Sequence, residues 1–360
     1  MNDLIRIPCV LMRGGTSRGP FFLASDLPAD QAGRDAALLS IMGSGHPLQI
    51  DGIGGGNPVT SKVAIIGPAS VSGADVDYLF AQVRTDRQIV DYSPNCGNML
   101  AAVGPFAIEA GIVASTNLDT LVRIHNVNTG KIIEAKVPTR NGEVIYLGDA
   151  SIDGVPGLAA PIALTFLDAA GAKTGKLFPT GKPLDVIRGV EVTAIDCAIP
   201  MVLIRATDVG VTGYEDAASL SANHDLIERL ASIRTDAGRL MGMGDVSDMV
   251  IPKPVLISPA RNGGTVSVRY FMPNDCHPAL ATTGAVGIAT AATTPGTVAS
   301  QIVGEQLLPT LVRIEHPSGR IDVQLETRNG SIVAGLVRTA RRLFEGYAFA
   351  KPNERVEHAA

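Results

Sequence analysis

Leu121-Val122-Arg123-Ile124, followed by Asn128-Thr129-Gly130 and Thr139-Arg140-Asn141-Gly142, returns later in the chain as Leu311-Val312-Arg313-Ile314, Pro317-Ser318-Gly319 and Thr327-Arg328-Asn329-Gly330. The offset between copies is 190 residues at Leu121 and Leu311 and 188 at Thr139 and Thr327. Each copy alternates apolar and polar residues on both sides of a Gly-bearing turn and ends on an Asn-Gly pair, the pattern of a β-hairpin. Carried backwards, the offset pairs a strand at 76–84 with one at 265–273, and a helix beginning at Gly97 with one beginning at Gly284. On this register Cys96 faces Thr283, and Lys62 falls near Lys253. A chance match of common hairpin sequences is weakened by four elements keeping one register. The predicted fold class is therefore α/β (α+β), in two pseudo-symmetric lobes, 1–185 and 186–360. Each is a mixed, mostly antiparallel sheet wrapped about a small-residue helix, with the two helix starts meeting at a cleft. The terminal segment is free to pack back on the first lobe.

Chemistry concentrates in Val90-Asp91-Tyr92-Ser93-Pro94-Asn95-Cys96-Gly97-Asn98-Met99-Leu100. A strand leads up to it, a Ser-Pro-Asn turn follows, and a helix from Gly97 to about Gly111 leaves it. The Cys96 thiol thus sits at a helix start, where unpaired N–H groups and the positive dipole end favour a thiolate or hold a carboxylate. The competing reading is that Cys96 is a small buried residue. Upstream, Leu4 to Met12 reads as a strand ending in the Gly-rich turn Arg13-Gly14-Gly15-Thr16-Ser17-Arg18-Gly19, and 26–42 reads as a helix. The glycines of Asp51-Gly52-Ile53-Gly54-Gly55-Gly56-Asn57-Pro58 match neither a phosphate loop nor a dinucleotide fingerprint, so no nucleotide is expected. They lead instead into Thr60-Ser61-Lys62 and the strand 63–66, placing Lys62 at a strand mouth, where an ordinary surface lysine is the alternative. A helix is also expected over 225–241, from the spacing of Leu226, Leu230 and Ile233.

The 360 residues, 46% hydrophobic and 18% charged, suit two lobes of ordinary domain size. A net charge of −5 without any Lys/Arg block gives no electrostatic reason for nucleic acid or an anionic membrane surface. No run approaches a membrane span, and Met1-Asn2-Asp3 enters a strand-like stretch without a basic and apolar leader, so a cytoplasmic location is expected. Cys9, Cys96, Cys197 and Cys276 lie far apart without CxxC spacing, which predicts free thiols and neither disulfides nor zinc. His277 adjoins Cys276, but neighbours on a strand point to opposite faces, so no metal site is expected.

The segments Met12 to Gly19, Gln49 to Gly55, Thr60-Ser61-Lys62, Asn95-Cys96-Gly97-Asn98 and Val337-Arg338-Thr339-Ala340-Arg341 resemble the PrpF-like proteins of the diaminopimelate epimerase superfamily, across nearly the whole chain. Within that family, Val76 to Val83, Gly104-Pro105-Phe106-Ala107 and Val211-Thr212-Gly213-Tyr214-Glu215 are most similar to the branch that tautomerises 4-oxalomesaconate in gallate breakdown. The sister activity is 2-methylaconitate cis-trans isomerisation. The resemblance implies a cofactor-independent isomerase whose catalytic pair corresponds to Lys62 and Cys96. Its substrate would be a small unsaturated di- or tricarboxylate undergoing a 1,3-proton shift, and a homodimer is compatible with it. Substrate-binding candidates are Arg13, Gly15, Thr16, Ser17, Asn95, Gly97, Asn98, Thr283 and Gly284. Two-base epimerases carry a cysteine at both helix heads, whereas Thr283 stands at the second here, so stereoinversion by a thiol pair is not expected. A non-catalytic carboxylate-binding protein of the same fold is the reading from a different class; it needs no thiol.

Overall fold

The computed structural model describes residues 3–352 apart from Pro273 and Asn329. Met1 and Asn2, the predicted strand end at Pro273 and the first residue of the predicted Asn329-Gly330 turn lie outside the described residues.

The repeated sequences form equivalent hairpins. Asp119–Asn126 pairs antiparallel with Lys131–Arg140, and Thr310–His316 with Gly319–Arg328. The strands before them repeat as well: Val76 lies beside Ile124 and Val266 beside Ile314, in parallel pairs 190 residues apart. Lys62–Pro68 and Lys253–Pro259 each run antiparallel to the strand that follows. Each also runs parallel to an earlier strand, Ser17–Leu23 in one half and Ile199–Arg205 in the other. The duplication read from two hairpins thus covers at least four strands per half, in the same order. Both lysines open their strands at matching positions.

Two connections bind the halves. Ile162–Phe166 pairs with Lys131–Arg140 on one side and with Ser331–Arg338 of the second half on the other, so the ladder continues from one half into the next. The last strand, Ala340–Ala350, returns to pair with Ile5–Gly14 along its length. The end of the chain therefore completes the first half.

Each half wraps its sheet around a helix of small residues. In the second half this helix is Thr282–Thr293, buried at every position from Thr282 to Ala292. In the first half the expected single helix is two, Gly97–Leu100 and Val103–Glu109. Pro105 accounts for the break: it has no N–H to give to the Ala101 carbonyl, and its ring crowds that oxygen. The predicted helix at 26–42 is likewise shortened. After Pro28 it starts at Gln31, with the Asp30 carboxylate accepting the Gly33 N–H at 2.8 Å. The predicted Arg13 to Gly19 turn contracts to Gly15 and Thr16, because Gly14 and Ser17 are already paired strand residues.

The main core joins Met99, Leu100 and Phe106 of the first helical segments to Val286, Ile288 and Ala289 of the second helix and the inner sheet faces around them. Burying each large apolar side chain contributes roughly 1.5–3 kcal/mol. Outer layers form where Gln31–Met42 covers Cys9, Phe22 and Val63, and where His224–Leu240 covers Val202, Ile204 and Leu256. Among the described residues no helix is long and apolar enough to cross a membrane.

Candidate active site

Cys96 is the residue on which the first small-residue helix begins. Its backbone is extended, and the Met99 N–H points at Sγ from 3.5 Å. The thiol therefore replaces the side-chain oxygen usual at an N-cap, in a position suited to a thiolate. Cys96 is only 6% exposed. Beneath it, the Tyr78 hydroxyl donates to the Cys96 carbonyl at 3.1 Å.

Lys62 lies opposite Gln82 across two antiparallel strands. Its ammonium donates to Gln82 Oε1 at 2.6 Å and sits 5.1 Å from the Phe80 ring centroid. The Gln82 amide nitrogen donates to the carbonyls of Ser61 and Pro58, which turns its oxygen toward Lys62. Burial lowers the Lys62 pKa; negative charge on Cys96 acts in the opposite sense.

Lys253, the counterpart of Lys62, faces the same space, and the two line a cavity of about 120 Å³ with Gln82 and Asp275. Burial first, then the like charge of Lys62, pushes Lys253 down to about 7; Asp91 opposes this. His277 is pushed to about 3, first by burial and then by Lys62, so its ring is neutral at pH 7. Its Nδ1 accepts the Ala279 N–H at 2.9 Å. Sequence reasoning set His277 aside as a poor metal ligand beside Cys276 and gave no role to Gln82 or Tyr270. The signal for Gln82 was its strand position facing Lys62; for His277 and Tyr270 no short-range signal existed.

The second helix head differs from its expected register. Ala285 donates to the Ala281 carbonyl as Leu100 does to that of Cys96, both at 2.9 Å, so Ala281 is the structural counterpart of Cys96. Thr283 lies inside the first turn, its methyl close against Gly97. No thiol occupies that head either way, and Cys276 is buried in the outer layer with Val202 and Leu256.

The two heads are nevertheless in contact. Thr282 donates to Asn98 Oδ1 at 2.8 Å and receives the Arg338 guanidinium at 3.1 Å, while Asn98 Nδ2 donates to Thr16 at 3.0 Å. Asn95 is anchored to the Ala198 carbonyl at 2.7 Å. Among the described residues, Ser17 Oγ, Asn95 Oδ1, Thr283 Oγ1 and the Tyr270 hydroxyl are buried without a partner. Polar groups in that condition cost free energy unless something else satisfies them. Gly15 contributes differently from its expected role, since its N–H is taken by the Thr339 carbonyl at 2.9 Å. Gly284 packs against the Tyr270 ring. Arg13 lines a cavity with Thr16 and Ser17 that does not include Lys62 or Cys96. Its neighbours Met12 and Gly14 face the core and Asn98, so alternation turns Arg13 to the outer face.

At Gly97 the heads meet most closely: a β-carbon there would lie 2.8 Å from Thr282 Cβ. Gly97→Ala is expected to destabilise the fold by about 1–3 kcal/mol and to separate the helix heads. A fall in melting temperature together with reduced turnover would show both effects. A second expectation concerns Lys253. The unfolded lysine titrates near 10.4 and the folded one at about 7, so between those values the unfolded chain holds the extra proton and stability rises with pH. Lys253→Met should flatten that rise, as read from denaturant midpoints at pH 7, 8 and 9.

The structure thus holds a buried lysine at a strand mouth and a buried thiol at a helix start, within a duplicated fold. The chain belongs to the PrpF family, whose sequence profile (PrpF protein) matches residues 4–351. It is 57% identical over 351 residues to the putative isomerase YbhH of Escherichia coli strain K12, covering 96% of this chain and 99% of that one. It is 52% identical over 346 residues to the 4-oxalomesaconate tautomerase of Pseudomonas putida, covering 95% of each. The solved structure of a methylitaconate-delta-isomerase superposes with a TM-score of 0.77 at 39% identity over 97% of both chains. The protein is thus an isomerase with the fold of that family.

Proposed function

We propose that the protein catalyses a 1,3-proton shift that converts the keto form of 4-oxalomesaconate into its enol tautomer, with Lys62 and Cys96 as the acid–base pair. The observation that carries the reading is that a buried lysine opens one strand and a buried thiol starts one helix, with charge on the thiol acting to raise the lysine pKa that burial lowers. Half-identity to a tautomerase of that substrate along the full chain supports the choice of substrate.

One group removes the proton acidified by the adjacent carbonyl, and the other returns a proton elsewhere on the delocalised anion. Burial holds Lys62 below its usual pKa, which brings its neutral, basic form closer to working pH. Met99 N–H and the dipole of the helix start stabilise charge on the Cys96 sulfur. The dienolate and its carboxylates would be met by first-turn N–H groups and by the unpartnered hydroxyls of Ser17, Thr283 and Tyr270. Lys253, held at about 7, lines the same cavity as Lys62 and would gain positive charge when a carboxylate binds beside it.

The test is an ultraviolet time course of freshly prepared keto 4-oxalomesaconate. Rapid appearance of the conjugated enol, lost in Lys62 and Cys96 variants, supports the reading. A rate equal to buffer overturns the substrate, and 2-methylaconitate is then the next compound to try.

A further inference from the structure

Arg18, Arg13 and Arg341 stand side by side on three adjacent antiparallel strands. Arg13 is directly opposite Arg18 on one side and Arg341 on the other. Residues directly opposite share a face, and like charges so placed repel. The effect is visible in Arg13, whose pKa is lowered first by burial and then by the charge of Arg341. Among the described residues none of the three meets a carboxylate; Arg13 donates only to the carbonyls of Gly15 and Thr339 and to the Thr339 hydroxyl. Arg18 Nε is buried without a partner.

These arginines open onto a cavity of about 490 Å³ whose lining contains no acidic residue. Its opposite wall is apolar, formed by Leu147, Ile152, Val155, Pro156 and Leu158. Thr16 and Ser17 of the Gly14 to Ser17 turn line this space, while Lys62 and Cys96 do not; on the turn's other side Gly14 packs on the Asn98 backbone and Thr16 is bonded to the Asn98 side chain. A row of three uncompensated guanidinium groups is costly to keep together, and its forked donors match planar carboxylates.

We propose that this arginine row binds a small organic anion carrying two or more carboxylates on an apolar body, at a site separate from the cleft of Lys62 and Cys96. The inference stands independently of the substrate assignment. The cavity is of the size that takes such molecules, and the apolar wall selects them over inorganic anions.

The experiment is calorimetric titration of the intact protein with phthalate, and separately with inorganic phosphate, at low salt. Phthalate is expected to bind in the millimolar range or tighter, more strongly than phosphate, to wild type and Lys62→Met alike. Arg18→Gln and Arg341→Gln should each weaken it about tenfold or more, the loss for a charged hydrogen-bond pair. Arg341→Lys should retain part of the affinity, and circular dichroism would establish that each variant is folded. Absence of phthalate binding overturns the proposal, as does affinity untouched by both arginine variants. Loss on Lys62→Met alone would place the anion in the catalytic cleft and overturn it too. Equal affinity for phosphate would overturn the apolar specificity.

Discussion

Replacing Lys62 with methionine is expected to lower kcat/KM for the proton shift by about 10²- to 10⁴-fold, the usual contribution of one general acid or base. Methionine keeps the length and apolar volume of the lysine stem, so packing over Phe80 survives. The charge is lost, and with it the group held at 2.6 Å from Gln82 Oε1. A buried ammonium without a carboxylate partner is a net cost to the fold. The variant should therefore melt no lower than wild type, although Gln82 loses one donor. This separates roles: a structural lysine would give a less stable protein with normal turnover, and the catalytic one gives the reverse. Initial rates and thermal melts on the same preparation decide between them.

Cys96→Ala is expected to cost a similar factor in turnover. Here stability should fall modestly, because the Met99 N–H loses its only side-chain acceptor at the helix start. Loss of an oxygen cap costs about 0.5–2 kcal/mol, and the longer contact to sulfur should sit at or below the lower end. Cys96→Ser restores a better capping atom but not an acidic thiol. It should recover stability while remaining slow, which marks the thiol's chemistry rather than its hydrogen bond as the essential property. Serine activity equal to wild type would remove Cys96 from the acid–base pair.

Much of this architecture could be read from the chain because duplication writes the same hairpin twice. Leu121 to Gly142 and Leu311 to Gly330 fixed a register that carried through to the lysines at 62 and 253. The register failed where local capping takes over. At the second helix head the first backbone bond closes on Ala281, so Thr283 sits two residues deeper than Cys96. Propensity also missed the interruption at Pro105, where a run of small residues looked like one helix but a missing donor divides it. The partners of the catalytic pair were harder to see. Gln82 meets Lys62, and His277 meets Tyr270 and feels the Lys62 charge, only once the sheet closes, and nothing in the sequence near His277 or Tyr270 announces it. Arg13 was named from its place beside a glycine turn; strand alternation turns it from the Met12 face, and it lines a cavity with Thr16 and Ser17.

The pairing of Ala340–Ala350 with Ile5–Gly14 has a consequence for how the polypeptide is made. During synthesis the first strand leaves the ribosome hundreds of residues before its partner exists. Until then its outer ladder edge is open, and open edges invite pairing with other nascent chains. The first half can nucleate early around its own hairpin, but its sheet is finished only once Ala340–Ala350 has been made. Contacts of such separation slow folding. A protein that stops just short of residue 340 should accordingly reach the ribosome exit as an aggregation-prone species, whereas one ending at 352 closes its own edge.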